Sequence, residues 1–202
     1  MKIKIYILMF LILALFAVPK AQAGSATARE YQVKAAFLYN FIMFIDWPDG
    51  KMPAANEPII IGIIGKDPFE DAFDPVKDKQ AKGRKVVVKK FKGFEELKKS
   101  DETEFNQQIE AVKKCHLLFI CLSEKKNVKE ITDLVKGSNI LIIGDMPKFL
   151  EAGGGMINFV LEEQKIRFEV DAAAAKQAGL KIRSQLLRLA TRVIGMEREA
   201  KD

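Results

Sequence analysis

The sequence contains few of the side chains on which catalysis and metal binding most often depend. It has two cysteines, Cys115 and Cys121, and one histidine, His116, among 202 residues. The motifs G-x-S-x-G, H-E-x-x-H, G-x-G-x-x-G and G-x-x-x-x-G-K-[ST] are all absent. A hydrolase triad would have to use His116, at the start of a predicted strand, and no second histidine or cysteine cluster offers metal ligands. We therefore expect a protein that is not an enzyme and that holds no metal or cofactor.

Acidic residues are missing from the first 23 positions. Lys2 and Lys4 precede an uncharged apolar run, Ile5 to Val18, and Ala21-Gln22-Ala23 forms an A-x-A site. This order predicts a secretory signal peptide that is cleaved after Ala23, and it favours that interpretation over an uncleaved N-terminal anchor.

The expected mature chain, residues 24–202, is only weakly basic. The whole sequence has a net charge of +6, but three lysines belong to the leader, so 30 basic and 27 acidic residues remain, a net charge of +3 (30 − 27). A weakly basic exported protein has no obvious route to nucleic acid, and we set nucleic-acid binding aside. The length suits one domain with a sizeable core.

A long uninterrupted hydrophobic run is also missing after the leader. Residues 30–48 read EYQVKAAFLYNFIMFIDWP, and a membrane-spanning helix needs about twenty apolar residues. Three polar residues interrupt this segment: Lys34, Asn40 and Asp46. The apolar positions surround the helix, which predicts a helix buried in a core rather than an anchor. We expect Gln32, Lys34 and Asn40 on the more solvent-exposed side of this helix. We expect the helix to end at Trp47-Pro48.

Two cysteines in an exported chain suggest a disulfide, but their spacing argues against one. CHLLFIC, residues 115–121, is typical of one buried strand, and six residues at about 3.3 Å each separate the two Cα atoms by roughly 20 Å. A disulfide needs these atoms within about 7 Å. We expect both thiols to stay free, or one to pair between chains. His116 points to the opposite face from Cys115, so we expect a histidine at a strand entrance.

Apolar runs alternate with helical segments through most of the chain. Strands are predicted at 59–65, 85–91, 116–123 and 139–145. Helical segments are predicted at 69–73, at two stretches of 94–114 that join near Ser100, at 125–137 and, as a single turn, at 147–152. This alternation predicts an α/β layer fold with a mostly parallel sheet.

The pattern changes near the C-terminus. Residues 156–171 alternate cleanly, which predicts a β-hairpin that turns at Glu162 to Lys165. Asp171 is expected to cap a short helix that Gly179 ends. Residues 184–195 follow helical spacing and predict a closing helix.

Acidic and glycine-rich loops follow the predicted strands without matching a known phosphate site. Asp67 and Asp145 lie in the loops GKDPF and GDMPKF, at the strand ends where parallel α/β sheets place ligands. Each precedes a proline that begins a helical turn, so capping is favoured over catalysis. Gly153-Gly154-Gly155 precedes a strand rather than a helix, which indicates a tight turn.

The C-terminal region contains the tentative binding residues. Residues 172–196 contain five basic residues and no acid: Lys176, Lys181, Arg183, Arg188 and Arg192. We favour a solvated helix side for them over a basic surface for an acidic partner or lipid. A ligand- or partner-binding site is predicted at Asn158, Arg167, Glu169 and Arg183. Arg167 and Glu169 point off the core face of the hairpin, where an arginine can hold a carboxylate with two hydrogen bonds.

Several segments together resemble the YfiR family of exported bacterial proteins. They are VKAAFLYNFIMFIDWP, CHLLFICLSE, ILIIGDMPKFLEAGGGMINFVLEEQKIRFEVD and AGLKIRSQLLRLA, and they extend from about Glu30 to Val193. The resemblance implies a Rossmann-like three-layer sandwich and a periplasmic, non-catalytic regulator. It further implies binding to the periplasmic domain of an inner-membrane diguanylate cyclase or sensor. Repression of the cyclase would lower cyclic-di-GMP and biofilm formation.

Three hypotheses of function remain open at this point. The first is a periplasmic regulator that binds a membrane protein and exposes an apolar patch. The second is a periplasmic small-molecule sensor with a pocket near Asn158, Arg167 and Arg183. The third is a hydrolase that relies on Asp67 and Asp145. A homodimer and a small-molecule effector are both compatible with the first.

Overall fold

The computed structural model describes residues 21–77 and 79–196. The predicted leader at residues 1–23 lies outside them, apart from the backbone of its last three residues. None of the helices in the described ranges is both long and apolar enough to span a membrane.

The first helix, α1 (Ala21–Phe44), packs one side against the core. Ala35, Leu38, Phe41 and Ile42 are fully buried, whereas Val33 and Met43 are exposed, so the helix is not buried all round. The predicted solvent exposure is confirmed for Gln32 and Asn40, but it is wrong for Lys34, which is only 4% exposed.

The end of α1 also differs from the prediction. The helix stops at Phe44, and Ile45–Asp46 forms a short strand, β1, that pairs antiparallel with β9 (Lys181–Ile182). The Arg183 amide donates a hydrogen bond to the Phe44 carbonyl at 2.9 Å, so a segment distant in sequence pairs with the last carbonyl of the helix. This tertiary pairing, which local helix signals do not encode, ends the helix before Trp47.

An eight-stranded sheet forms the centre of the fold. Its strands, separate from the β1–β9 pair, are β2 (Ile59–Ile64), β3 (Gln80–Ala81), β4 (Arg84–Phe91), β5 (Leu117–Ile120), β6 (Leu141–Gly144), β7 (Ile157–Glu162), β8 (Lys165–Asp171) and β10 (Arg192–Ile194). The order is β10-β8-β7-β6-β5-β2-β4-β3. Only the β7–β8 and β3–β4 pairs are antiparallel. The predicted α/β class with a mostly parallel sheet and a C-terminal hairpin is confirmed.

The strand order places the topological switch point between β2 and β5. From β2 the chain crosses to β4 on one side, then returns to β5, β6 and β7 on the other. β5 and β6 are buried at every position, and β2 at all but Ile60, which agrees with their near-continuous apolar sequences. In such sheets, ligands usually bind at the switch point, beyond the carboxyl ends of the strands.

Most predicted helices are present but shorter than their sequence patterns. They are α2 (Phe94–Leu97), α3 (Glu102–Lys113), α4 (Val128–Leu134), α5 (Ala172–Gln177) and α6 (Ser184–Leu187), with 3-10 turns at Leu122–Glu124 and Leu150–Ala152. Asp171 caps α5 as predicted, because its side chain accepts a hydrogen bond from the Ala174 amide at 2.9 Å. The helix predicted at 69–73 is wrong: residues 70–77 form successive turns, although Phe69 and Phe73 are buried.

The predicted closing helix is wrong beyond its first turn. After α6, the Thr191 amide donates to the Phe168 carbonyl, and Arg192–Ile194 continues as β10 beside β8. The outer edge of β8 is unpaired until β10 adds to it, and β-branched Val193 and Ile194 suit a strand. A nonlocal pairing therefore overrides the helical spacing.

The hairpin turns where the sequence predicts. Glu163 and Gln164 form a two-residue turn with φ angles of +48° and +61°, a conformation that usually selects Asn-Gly. Phe159 and Phe168 face each other across the hairpin, and Phe37 and Phe41 of α1 pack on both at centroid distances of 5.1–5.9 Å. This aromatic cluster fixes α1 on the hairpin.

Candidate functional site

The carboxyl edge of the sheet, where this fold class usually binds ligands, contains a buried ion pair. Asp145 follows β6, and its Oδ2 atom accepts hydrogen bonds from Lys34 Nζ at 2.7 Å and from the Tyr31 hydroxyl at 2.8 Å. The Lys34 and Asp145 side chains are 5% and 4% exposed. Glu30 adds a second carboxylate at 2.6 Å from Lys34. Asp145 therefore joins α1 to the sheet and does not act as the helix cap predicted from the sequence.

One oxygen in this cluster has no partner. Asp145 Oδ1 is buried and forms no hydrogen bond with the residues that the structure describes. Tyr31 covers the cluster: Lys34 Nζ lies 4.3 Å from its ring centroid, and Phe69 meets the ring edge-on at 5.1 Å. Burial, followed by the neighbouring Asp145 carboxylate, raises the pKa of Tyr31 well above its ordinary value, so its hydroxyl remains a proton donor.

A second buried carboxylate occupies the switch point. Glu124 follows β5 and is 5% exposed. Its carboxylate accepts hydrogen bonds from the Phe94 amide at 3.0 Å, Asn127 Nδ2 at 3.1 Å and Ser123 Oγ at 3.1 Å. Gly65 leaves room for it, because a Cβ atom there would lie 2.5 Å from Ser123 Oγ and 2.8 Å from Glu124 Cγ. The crevice between β2 and β5 is thus filled by the side chains of the protein itself.

Asp67, the other acid at this edge, has a structural role. Its Oδ1 atom accepts a hydrogen bond from the Phe69 amide at 2.8 Å, and its Oδ2 atom forms an ion pair with Lys90. The predicted capping role is confirmed, although the capped segment is a turn rather than a helix. Burial, followed by the negative charges of Asp67 and Asp145, raises the pKa of the Cys121 thiol above its ordinary value.

Both cysteines are free and buried, as the strand spacing predicts. They flank β5, with Cys115 before it and Cys121 after it. Burial raises the pKa of Cys115 to about 12, which makes its thiol unreactive at neutral pH. His116 stands at the entrance of β5, where its Nδ1 atom accepts a hydrogen bond from the Ile60 amide at 3.1 Å. No group of three or more histidine, cysteine or acidic side chains in the described ranges is arranged to hold a metal ion.

The four predicted binding residues do not form one cluster. Asn158 is buried, and its Oδ1 atom accepts a hydrogen bond from the Met146 amide at 3.2 Å. Glu169 lies opposite Asn158 in the hairpin register but forms an ion pair with Arg192 at 2.7 Å. Arg167 is exposed and forms no ion pair with the described part of the chain.

Arg183 belongs to a separate part of the fold. It follows β9 and binds Asp46 of β1 through two nitrogens, with Nε at 3.1 Å from both carboxylate oxygens and Nη2 at 2.7 Å from Oδ1. The Arg183 guanidinium lowers the pKa of Asp46. The two-oxygen contact that the sequence suggested for an arginine near the hairpin therefore occurs within the protein, at Arg183.

The basic C-terminal residues do not form one helix face. Arg192 lies on β10 and binds Glu169 at 2.7 Å and Glu151 at 3.0 Å, so the solvated helix side predicted for it is wrong. Exposed apolar side chains occur instead on several elements. They are Val33 and Met43 on α1, Leu122 after β5, Leu161 near the hairpin tip, Leu189 after α6 and Met196.

Residues 31–191 match the family model described as YfiR/HmsC-like. The chain belongs to the YfiR/HmsC-like family. The match includes α1 from Tyr31 onward, both buried carboxylates and the whole hairpin. No curated protein matches the chain.

Two solved structures show the same kind of fold as this YfiR/HmsC-like chain. A conserved domain protein from Vibrio cholerae O1 biovar El Tor strain N16961 aligns with a TM-score of 0.51 at 11% identity, over 81% of this chain and 60% of that chain. The ABC domain in complex with L-Trp from Streptococcus pneumonia aligns with a TM-score of 0.54 at 11% identity, over 79% and 60%. This chain thus spans about three fifths of each. At this identity, the likeness shows the fold alone.

Sequence reasoning missed the central feature of this YfiR/HmsC-like domain, the Lys34–Asp145 pair. One signal could have indicated it. Lys34 is the only basic residue between Glu30 and Pro48, in a segment otherwise predicted to be buried. A buried lysine requires a partner, and acids that follow buried strands are the available candidates.

Proposed function

We propose that the protein is an exported, non-catalytic regulator that binds the periplasmic part of a membrane signalling protein and represses a diguanylate cyclase. Repression would lower cyclic-di-GMP and biofilm formation. The observation that carries this proposal is the family match over residues 31–191. Export through a signal peptide at residues 1–23 and a single working domain at residues 24–202 are parts of the same proposal.

The carboxyl edge of the sheet supports a role without catalysis. Lys34, Asp145 and Glu124 occupy the place where enzymes of this fold class bind substrates, and most of their polar atoms are engaged in internal contacts. A catalytic acid or base must reach the proton that it transfers. These side chains are buried and paired with other parts of the chain.

We further propose that the hairpin contributes to partner binding, with Arg167 as its available charge. Of the four residues predicted from the sequence, Asn158, Glu169 and Arg183 are engaged in internal contacts. Arg167 is exposed, and its planar guanidinium suits a carboxylate on another protein.

The function is tested by deleting the gene in its own host and measuring cyclic-di-GMP. Deletion should raise the cyclic-di-GMP level, and the full chain supplied in trans should return the level to that of the undeleted strain. A chain without residues 2–23 should not restore it, because repression requires the protein on the periplasmic side. An unchanged level after deletion, or full restoration by the leaderless chain, would contradict the proposal.

The hairpin is tested with two charge reversals at exposed arginines. Arg167→Glu should weaken capture of the membrane cyclase and relieve repression, whereas Arg188→Glu serves as the matched control. Both variants should be folded, because neither arginine forms an ion pair with the described residues. Equal loss of repression in both variants would indicate a general charge effect and would remove Arg167 from the proposed surface.

A further inference from the structure

A groove of about 710 Å³ opens at the amino ends of the central strands, opposite the filled edge. Its lining includes Trp47, which follows β1, together with Ile60, His116 and Asn139, which lie near the starts of β2, β5 and β6. The loop at 50–58 and the C-terminal end of α3 provide further lining. The volume lies in the range of small-molecule sites, about 300–1,000 Å³.

His116 supplies a hydrogen-bond donor to this groove. Its Nδ1 atom accepts a hydrogen bond from the Ile60 amide, so the ring proton is on Nε2. Burial lowers the pKa of His116, which keeps the imidazole neutral with this proton in place. Nε2 has no acceptor among residues 21–77 and 79–196. The imidazole N–H is therefore available to a ligand.

The charged groups of the groove also favour an anion. Its lining contains three lysines, Lys51, Lys113 and Lys114, and two acids, Glu57 and Glu110. The Glu110 carboxylate forms an ion pair with Lys113 at 2.9 Å, and the Glu57 carboxylate accepts a hydrogen bond from the Ala54 amide at 3.1 Å, so one positive charge is in excess. Lys51 and Lys114 are exposed and form no ion pair in the described ranges. Lys114 also compensates the negative end of α3, but Lys51 lies on a different element and has no such role.

The apolar part of the lining is held in place before any ligand binds. Trp47, Met52, Pro53 and Pro58 provide this part. Arg84 Nε donates a hydrogen bond to the Pro53 carbonyl at 2.7 Å, and Trp47 Nε1 donates one to the Asn139 carbonyl at 3.1 Å. A preformed wall reduces the entropy lost on binding.

We propose that this groove binds a small organic anion. Its carboxylate or phosphate group accepts hydrogen bonds from His116 Nε2 and from the ammonium groups of Lys51 and Lys114. Its apolar part lies against Met52, Pro53 and Pro58. The proposal is independent of the regulatory function, because it uses none of the residues assigned to partner binding.

The single histidine makes a direct test possible, because the protein gives only one set of imidazole signals in ¹⁵N NMR. The purified protein is titrated with benzoate, phenyl phosphate, inorganic phosphate and neutral benzamide. We expect a saturable shift of the His116 Nε2 signal with benzoate or phenyl phosphate. The compound that binds more tightly shows whether the groove prefers a carboxylate or a phosphate. No response to either, or an equal response to benzamide, would overturn the proposal. Equal binding of inorganic phosphate and phenyl phosphate would overturn the role of the apolar wall.

The two lysines are tested by charge removal. Lys51→Gln combined with Lys114→Gln should weaken binding of the organic anion at least about threefold, in line with exposed charge pairs. Lys99→Gln combined with Lys125→Gln removes the same charge outside the groove and should leave binding within about 1.5-fold, because exposed charges far from a site are screened. An equal loss in both double variants would show that only the overall charge matters, and it would overturn the site.

Discussion

The two edges of the central sheet differ in how their polar groups are used. At the carboxyl edge, Lys34 and Asp145 form a buried ion pair, and the buried Glu124 carboxylate accepts a hydrogen bond from the Phe94 amide. At the amino edge, Lys51 and Lys114 are exposed around a groove and form no ion pair with the described residues. The usual ligand edge of a parallel α/β sheet is thus filled, whereas the opposite edge is open.

This difference shows how a common fold can lose its usual site. Helix α1 reaches the carboxyl edge, and the Lys34–Asp145 pair joins the two across 111 residues of sequence. A buried ion pair is costly to desolvate, but it becomes very costly to break once it has formed. The helix is therefore a fixed part of the edge, and its Lys34 side chain occupies the region where sheets of this class usually bind ligands.

The largest effect is expected when this pair is broken. Lys34→Met leaves Asp145 buried without its cation and should lower the free energy of unfolding by about 3 to 5 kcal/mol. Urea denaturation followed by circular dichroism measures the change. The double variant Lys34→Met with Asp145→Leu should recover most of the loss, because it removes both buried charges.

A lysine in an exposed pair provides the control for this prediction. Lys129 forms an ion pair with Asp133 at 2.7 Å, but the two side chains are 68% and 56% exposed. Lys129→Met should therefore cost at most about 1 kcal/mol. A comparable loss in Lys34→Met and Lys129→Met would mean that the carboxyl edge is not held by its buried pair.

The next effect concerns the glycine that makes room for Glu124. Gly65 has a φ angle of +102°, and a Cβ atom would contact Ser123 and Glu124 at under 3 Å. Gly65→Ala should lower the free energy of unfolding by about 2 to 3 kcal/mol through backbone strain and overpacking. Gly83→Ala is the control, since φ there is +74° in open space, and it should cost about 1 kcal/mol. Equal costs would show that the switch point is loosely packed.

The sequence is most informative where the structure is local. The apolar runs at 59–64 and 117–120 predict buried strands because a strand covered on both faces needs apolar residues throughout. The alternation at 157–170 predicts the hairpin, and Asp171 is recognisable as a cap because its partner is three residues away. Each of these features depends on neighbours in the chain.

The missed features that join separate elements depend on partners distant in sequence. From the sequence, Lys34 is expected on the solvent side of its helix, but in the structure it forms a buried ion pair with Asp145. Val193 follows helical spacing in the sequence, but in the structure it pairs with β8. The groove at the amino edge is lined by residues 47–60, 110–116 and 137–139, which no local pattern connects. Asn158 and Arg183 are predicted from the sequence to bind a ligand or partner, and the hydrogen-bond partners that the structure gives them are internal.

A smaller effect should distinguish the amino edge by its pH dependence. The pKa of His116 lies below its ordinary value of 6.5, chiefly because of burial and also because of Arg84, while Glu57 acts in the opposite direction. The unfolded chain then binds the proton more readily than the folded one, so stability is complete above about pH 6.5 and falls as the pH drops below it. Unfolding measured at about pH 7 and at about pH 5.5 should show this loss.

His116→Asn provides the matched variant for the pH experiment. The asparagine Oδ1 atom can accept the Ile60 amide hydrogen bond in place of Nδ1, but the side chain does not titrate. The variant should lose less stability than the wild type between the two pH values. Carboxylates contribute little in this window, because their ordinary pKa values lie near 4. An identical pH dependence in both proteins would exclude His116 as its source.

The smallest effect is expected from the lysines of the open edge. Lys51→Gln and Lys114→Gln remove exposed charges that form no ion pair with the described part of the chain. Lys51→Gln should change the free energy of unfolding by no more than about 0.5 kcal/mol, and Lys114→Gln by up to about 1 kcal/mol, because Lys114 lies at the C-terminal end of α3. Urea denaturation of both variants beside Lys34→Met gives the comparison directly. A loss above about 1 kcal/mol at Lys51 or Lys114 would mean that these cations stabilise the fold itself, and the two edges would then differ only in degree. Near-neutral changes would leave the ammonium groups of the amino edge free for a ligand, in contrast to the buried ammonium group of Lys34.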